Sequence, residues 1–276
     1  MLLFLIACSG TSQSSITCNG QSDLCSRRIN EVAFAATHNA MSSAEDGWLG
    51  PNHLYAIPTQ LQDGIRGLNL DTHLVDGEAY LCHGYCELGS TPLKDTLFDI
   101  KSFVDENPQE VLIITLQSAV SPDLTLESFH QSGLYDHLHH HTQGTPWPTL
   151  GELIQTQQQI LLFTDSGGGQ SHGYHDQWTH WVDNPYSAQS IDDFACTIER
   201  GNQETATLFN VNHFMTMLSG SQSLAEEGNL YPVLHEHVFS CWEESDKFPN
   251  QVLVDFYSIG DLFTVVDELN DREALE

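Results

Sequence analysis

The sequence predicts an α/β fold on a parallel sheet, close to an eight-stranded β/α barrel. Three observations predict it. Short apolar runs alternate with segments of helical period. The 276 residues match the roughly 250 of one such barrel, so a single domain suffices. Nearly every apolar run also hands over to a polar or ionisable residue, and the C-terminal strand edge is where a parallel β/α fold builds its chemistry.

Taken in order, Met1–Cys8 reads as the remnant of a secretory signal. Leu5-Ile6-Ala7-Cys8 resembles the lipobox of bacterial lipoproteins, which implies lipidation at Cys8. Residues 9–28, opening on a Ser-, Thr-, Gly- and Gln-rich stretch, read as a flexible tether, and 29–276 as one barrel domain. The first strand is expected at Val32–Thr37. Gly47, Gly50, Pro51 and Pro58 mark a long loop over 40–58, and Pro58–Asp63 forms a short helix before Gly64. The second strand, Gly67–His73, puts Asn69, Asp71 and His73 on one face and Leu68, Leu70 and Thr72 on the other. Ala79–Cys82 is a third, short strand. Thr91 as N-cap and Pro92 at the first helical position open a helix. Leu93, Leu97, Ile100 and Val104 continue it to Pro108. Val111–Leu116 is a continuous apolar run rich in β-branched residues, as suits a strand buried on both faces. Helices follow at Leu124–Leu134 and Leu150–Gln158, strands at Ile160–Thr164, Thr207–Val211 and Gln251–Phe256, and a closing helix at Leu262–Leu269.

The charge balance narrows the function. With 8 basic and 38 acidic residues the net charge is −30. Nucleic acid is excluded as a partner, because a polyanion is repelled. An anionic membrane is repelled too unless salt or a divalent cation screens the charge. Such a surface suits an exported protein in salty surroundings. The expected location is extracellular or periplasmic, with a lipid anchor at Cys8. Setting Cys8 aside leaves six of the seven cysteines. In an exported chain an even number indicates disulfides. Local spacing favours Cys18–Cys25 and Cys82–Cys86 and leaves Cys196–Cys241. A zinc site is the weaker alternative, since no paired C-x-x-C is present.

The strand ends carry the chemistry. Thr37-His38-Asn39 follows the first strand, Asp71-Thr72-His73 ends the second and His83 the third. Gln117, Asp165 and Asn212-His213 follow the next three, and Asp255 lies in the last. Two histidines across a cleft suit cleavage of a phosphodiester, one taking a proton from the attacking hydroxyl and the other giving one to the leaving oxygen. The phosphate then needs positive charge. A Ca²⁺ or Mg²⁺ held by Asn39, Asn69 and Asp71 supplies it; Arg66 is the alternative. Asp165, Asn212 and His213 complete the expected substrate-binding set. The tract containing His137, His139, His140 and His141 has the look of a metal site and is read as a solvated segment.

A-T-H-N-A-M, then Q-L-x-x-G-I-R-G-L-N-L-D-T-H, then L-C-H-G resembles the X domain of phosphatidylinositol-specific phospholipase C and its secreted microbial relatives. The resemblance runs from His38 to Asp255. It implies a distorted, incomplete β/α barrel and cleavage of an inositol phospholipid, at a membrane surface, to diacylglycerol and a cyclic inositol phosphate. By it His38 is the general base, His83 the general acid and Asp255 the group that orients the base. Metal-free members of that family carry an arginine two residues beyond an acidic residue on the second strand, where this chain has Asn69 and Asp71. Calcium-dependent members carry His-Asn, Glu-x-Asp and a further Glu; His38-Asn39 and Asp71 match, whereas Asn69 and Gln117 depart. The expected metal is therefore weakly bound. The protein is expected to act as a monomer. The alternatives are a diesterase of sphingomyelinase D or glycerophosphodiester type, or a lipid-binding surface protein with weakened turnover.

Overall fold

The computed structural model describes residues 16–215 and 219–271. The elements run β1 (Phe34–Thr37), α1 (Ile57–Asp63), β2 (Gly67–Val75), β3 (Glu78–Leu81), β4 (Thr91–Pro92), α2 (Leu93–Glu106), β5 (Leu112–Ser118) and α3 (Pro122–Ser132) in the first half. The second half adds α4 (Leu150–Gln155), β6 (Ile160–Thr164), β7 (Tyr174–Asp176), α5 (Gln177–His180), β8 (Trp181–Asp183), β9 (Leu208–Asn212), α6 (Gln222–Gly228), α7 (Tyr231–Ser245), β10 (Pro249–Val254) and α8 (Leu262–Asp271). Parallel strands stand in the order β7-β6-β5-β2-β1-β10-β9-β8, and β3 and β4 add an antiparallel flap beside β2. The path ends at β7 and β8, which do not pair although only the single turn of α5 separates them in the chain. The barrel is thus open at that seam.

Period-two alternation divides every strand between two environments. Leu68, Leu70, Leu112, Ile114, Leu116, Leu162, Val211 and Val252 pack outward into one core with Leu97, Ile100, Val104, Phe129 and Val238 of the helices. Phe34, Ile113, Leu161, Phe163, Trp181 and Leu208 face inward and fill the base of the barrel as a second core. Further along, the same inward rows turn polar: Phe34 leads to His38, Ile113 to Gln117, Leu161 to Asp165 and Leu208 to Asn212, each in steps of two. Apolar packing below thereby fixes a polar ring above. Gly67 marks where the interior is tightest, since a Cβ there would lie 2.4 Å from Gln251 Nε2 and 2.6 Å from the Ala36 Cβ.

Several expectations change. Cys8 and residues 9–15 of the expected tether lie outside the described residues. From residue 16 the segment is folded: Cys18 and Leu24 are buried, and with Ile29, Trp147 and Leu150 they belong to the core at the base of the barrel. An apolar anchor every few residues outweighs the polar composition that suggested a tether. Thr91-Pro92 is not a helix cap but a two-residue strand against β3, and the helix starts at Leu93 without a side-chain cap. β7 and β8, of three residues each, are too short to show a period. α7 was not expected, although Pro at its start and Leu234, Val238 and Cys241 at i, i+4 and i+7 mark it. The histidine tract is not a solvated segment throughout: His141 is buried and stacks on Trp147 at 3.5 Å. All three disulfides form as spacing favoured: Cys18–Cys25, Cys82–Cys86 and Cys196–Cys241. Among the described residues no helix is long and apolar enough to cross a membrane.

Candidate active site

His38 stands at the end of β1, between β2 and β10. Its backbone N–H donates to Val254 O at 3.0 Å, which fixes the ring beside the end of β10. Its Nδ1 is 2.9 Å from Asp255 Oδ1. With the carboxylate as acceptor, Nδ1 carries the proton and Nε2 keeps its lone pair. The Asn39 amide nitrogen lies 3.1 Å from that Nε2. The ring stacks on Phe214 at 3.7 Å, nearly parallel. Asp255 is itself held, because Asn52 Nδ2 donates to the same Oδ1 at 3.0 Å. Asn52 also accepts from Phe256 N through its backbone oxygen, at 2.8 Å. Sequence reasoning missed Asn52, which lies in the long loop after β1. His53, next to it, donates to His38 O at 2.7 Å; burial pushes its pKa down to about 4, so it is a neutral prop.

Asp71, on the neighbouring β2, is buried. Burial pushes its carboxyl up to about 6, with the positive field of His38 opposing and Asp165 reinforcing. His83 follows β3 on a loop closed by Cys82–Cys86, and Cys82 N donates to Asp71 O at 3.2 Å. Burial holds His83 below the ordinary histidine value, and the charge of His38 adds to this. The three groups expected to act together therefore do converge, close enough to feel one another electrostatically. Two buried oxygens on this wall, Asp71 Oδ1 and Asn39 Oδ1, have no hydrogen-bond partner among the described residues, and Asn69 lines the cavity alongside. This is an all-oxygen donor set with one carboxylate, which fits a hard divalent cation held weakly. The zinc alternative does not fit. Among the described residues the clustered ligand sets are His73 with Cys82 and Cys86, and His237 with Cys196 and Cys241; both cysteine pairs are disulfides.

The cavity beside His38 holds about 300 Å³ and reaches across the barrel mouth to Gln117, Asp165, Gln177 and Asn212. Asp165 lines it while accepting from Ser118 N at 2.8 Å. Asn212 is fixed by donating to Asn184 O at 2.7 Å and to Asp183 Oδ2 at 3.2 Å. Two expected residues are elsewhere. Arg66 precedes β2 at the base of the barrel, paired with Glu110 at 2.6 Å and lying over Phe103. His213 is one residue past the inward Asn212 and so faces out. It is fully buried, with Nε2 donating to Gly228 O at 2.9 Å and Nδ1 facing His237 Nδ1 at 2.8 Å. Strand alternation excludes both from the cavity. The cation that does line it is Arg200, on the loop after β8, which the sequence did not single out.

A base held by a carboxylate, a second histidine, an unpaired buried carboxylate and a polar cavity form a set suited to proton transfer on a phosphorylated substrate. The comparisons agree with the fold. Residues 24–270 match the PI-PLC X family model. A secreted protein of Arthroderma benhamiae is 28% identical over 92% of this chain and 64% of its own length. A PI-PLC X domain-containing protein of Arabidopsis thaliana is 26% identical over 88% of this chain and 62% of its own. The chain thus spans less than two thirds of either relative. Among solved structures, the phosphatidylinositol-specific phospholipase C of Listeria monocytogenes superposes with a TM-score of 0.61 at 16% identity, covering 91% of this chain and 96% of that one. The Staphylococcus aureus enzyme gives 0.63 at 15%, covering 90% and 95%. With the family model matched along nearly the whole described length, the chain belongs to the PI-PLC X family.

Proposed function

We propose that the protein is an exported phosphodiesterase that cleaves an inositol phospholipid at a membrane surface, giving diacylglycerol and an inositol phosphate, cyclic in the first instance. The observation that carries this reading is His38, with Nδ1 committed to Asp255 and the ring clamped on Phe214. That arrangement keeps Nε2 unprotonated, the requirement for a general base, with the Asn39 amide as its partner until the substrate hydroxyl takes that place. His38 takes the proton of the attacking headgroup hydroxyl. His83 gives a proton to the glycerol oxygen as it leaves. Its lowered pKa makes it a stronger acid, and the approach of an anionic phosphate favours its protonated form. Asp255 orients His38 and offsets the imidazolium that forms. The three disulfides and the relative named as secreted support export.

Asp71, Asn39 and Asn69 would hold a divalent cation, most simply Ca²⁺, whose charge would offset that gathering on the phosphate oxygens. One carboxylate in the set implies affinity of about 10⁻⁴–10⁻³ M. The test is hydrolysis of a lipid panel with millimolar Ca²⁺, with Mg²⁺ and with chelator. Diacylglycerol released from phosphatidylinositol supports the reading; ceramide phosphate or glycerol phosphate from other lipids points to the related diesterase types. Activity is expected to rise with Ca²⁺, to vanish in chelator and to lose its metal response in Asp71→Asn. Full activity in excess chelator refutes the metal assignment alone.

A further inference from the structure

One face of the β2–β3 hairpin gathers groups that the proposed reaction does not use. Alternation along β2 puts His73 on the same face as Asp71. In the β2–β3 register Thr72 pairs with Leu81, so Cys82 stands opposite Asp71, and its N–H donates to Asp71 O at 3.2 Å. Residues opposite each other on antiparallel strands share a face, and so do their diagonal neighbours. His73 and Cys82 are such diagonal neighbours. The short turn at Cys86–Leu88 brings Cys86 back onto Cys82. A nitrogen of His73 and both sulfurs consequently lie within 4.8 Å of one another. His73 is half-buried, and its ring has no hydrogen-bond partner among the described residues.

A second triple of this kind, His237 with Cys196 and Cys241, is closed on every side. All three residues are buried, and the His237 ring is engaged by His213 and Asn184. The third bridge, Cys18–Cys25, has no such histidine beside it among the described residues. Cys82–Cys86 differs from both. Cys86 is half-buried in a loop whose Gly84, Tyr85 and Glu87 are exposed. That leaves one end of the bridge within reach of a thiolate, and access decides which disulfides exchange. The two cysteines stand 4 residues apart in the chain, against 45 for the sealed pair. A bridge across so short a loop contributes least to stability, so its opening leaves the fold in place. The C-x₃-C spacing also falls within that of zinc-binding hairpins.

We propose that reduction of Cys82–Cys86 turns this face into a Zn²⁺ site, with Cys82, Cys86 and His73 as ligands, and that zinc bound there switches the catalytic centre off. A dithiol reductant gives two electrons and two protons to the S–S bond, becomes a cyclic disulfide itself, and leaves two thiols. Zn²⁺ then displaces both thiol protons to solvent as two Zn–S bonds form. A His73 nitrogen gives the third bond and water the fourth. Two Zn–S bonds of about 2.3 Å in a tetrahedral site set the sulfurs ~3.8 Å apart, where the disulfide holds them in bonded contact. His83, next to Cys82 in the chain, is carried along by that change. His73 is close enough to His83 for its charge to be felt there, so a cation held by His73 opposes protonation of His83. The switch rests on the reading of His83 as the general acid; the metal site does not.

The test uses the full chain, treated with a dithiol under native conditions, desalted without air and then given ZnCl₂. Mass mapping of alkylated cysteines should show Cys82 and Cys86 modified ~10-fold or more faster than Cys196 and Cys241, and zinc should then protect them. Competition with a chromophoric chelator should report about one Zn²⁺ gained per chain on reduction. His73→Ala keeps the dithiol and should weaken that zinc by ~100-fold, since losing a group that merely supports a ligand already costs about 10–100-fold. Cys82→Ser/Cys86→Ser should gain no zinc. Hydrolysis of phosphatidylinositol should fall by ~10²-fold or more in the reduced, zinc-loaded protein, the worth of a general acid. The oxidised protein at the same zinc level is the reference, and chelation followed by reoxidation should restore the rate. Cys196–Cys241 opening as fast as Cys82–Cys86, equal zinc uptake by the oxidised chain, His73→Ala binding zinc as tightly as the native protein, or undiminished hydrolysis with zinc bound overturns the proposal. Absence of hydrolysis by the untreated protein instead removes the phosphodiesterase reading, and the labelling and zinc measurements still decide the site.

Discussion

His38 and His213 look alike in sequence. Each follows an apolar parallel strand, and each neighbours an asparagine. The fold gives them opposite surroundings. His38 continues the inward row of β1, keeps a carboxylate on Nδ1 and opens on a cavity. His213 comes one residue after the inward row of β9 and is sealed among α6 and α7, with a carbonyl on one nitrogen and another histidine on the other. Burial holds it down at about 3 and its partner His237 at about 4. The difference teaches that a strand-end histidine is available for chemistry according to the side of the sheet it falls on. Phe214 joins the two regions, since the residue after the sealed histidine returns to the inward row and stacks on His38.

The sharpest way to break this contrast is to truncate both. His38→Ala is expected to lower kcat by about 10²–10⁴-fold, the usual worth of a general base, with thermal melting unchanged; His83→Ala should behave likewise. His213→Ala is expected to do the reverse. It empties a sealed site and strands the Gly228 carbonyl and a His237 nitrogen, at a cost of about 2–4 kcal/mol in stability, while kcat in the folded fraction stays within a fewfold. Urea unfolding and initial rates on the same preparations check both. A His38→Ala protein within tenfold of native, or a His213→Ala protein of native stability, dissolves the distinction.

Period two made much of this site legible. The alternation of β2 placed Asn69 and Asp71 on one face correctly, and the strand ends supplied His38, Asp165, Asn212 and Asp255. Taking Asn212 and His213 together was the error, because adjacent residues of a strand cannot share a face. Arg66 fails for the same reason, standing one residue before the inward Gly67 and at the wrong end of the strand. Arg200 and Asn52 were beyond pattern reasoning. One follows a three-residue strand and the other lies in a loop, where partners are set by tertiary contact. The tether misreading came from composition, which does not register Leu24 and a disulfide packed beneath the barrel.

A smaller effect comes from pH. His53, His213 and His237 are held low by burial at about 4, 3 and 4, as are His141 and His175 at about 4 and 3. They stay neutral in the fold, whereas the unfolded chain protonates them near 6.5. Between pH 6.5 and about 4 the unfolded state binds more protons, so stability should fall as pH falls, and above 6.5 they contribute no slope. Asp71, raised to about 6, works in the opposite sense in that window. The net loss on acidification should be visible as a falling urea midpoint from pH 7 to 4.5. His213→Asn should flatten the curve, having one buried imidazole fewer to protonate. An unaltered slope in that variant shows that His213 does not titrate on unfolding, and the sealed environment assigned to it is then wrong.

The smallest effect concerns how tightly the open histidine is held. Asp255 Oδ1 accepts from both His38 and Asn52. The loop carrying Asn52 is pinned on each side, by Ser42 O accepting from Asn52 N at 2.9 Å and by Phe256 N donating to Asn52 O at 2.8 Å. Asn52→Ala leaves those backbone bonds in place and deletes only the amide donor. The carboxylate then keeps His38 as a partner but gains freedom to turn, so His38 spends part of its time misaimed. A hydrogen bond to a charged group is worth about 1.5–3 kcal/mol, yet only the orienting share of that reaches the rate. A fall in kcat of about two- to tenfold is therefore expected, with KM unchanged because Asn52 does not line the cavity. Asn52→Asp distinguishes orientation from packing. It keeps the shape, replaces the donor by a second carboxylate against Asp255, and should lower kcat further than alanine does. Equal rates for the two variants would mean that Asn52 acts only by filling space, leaving Asp255 positioned by its own strand.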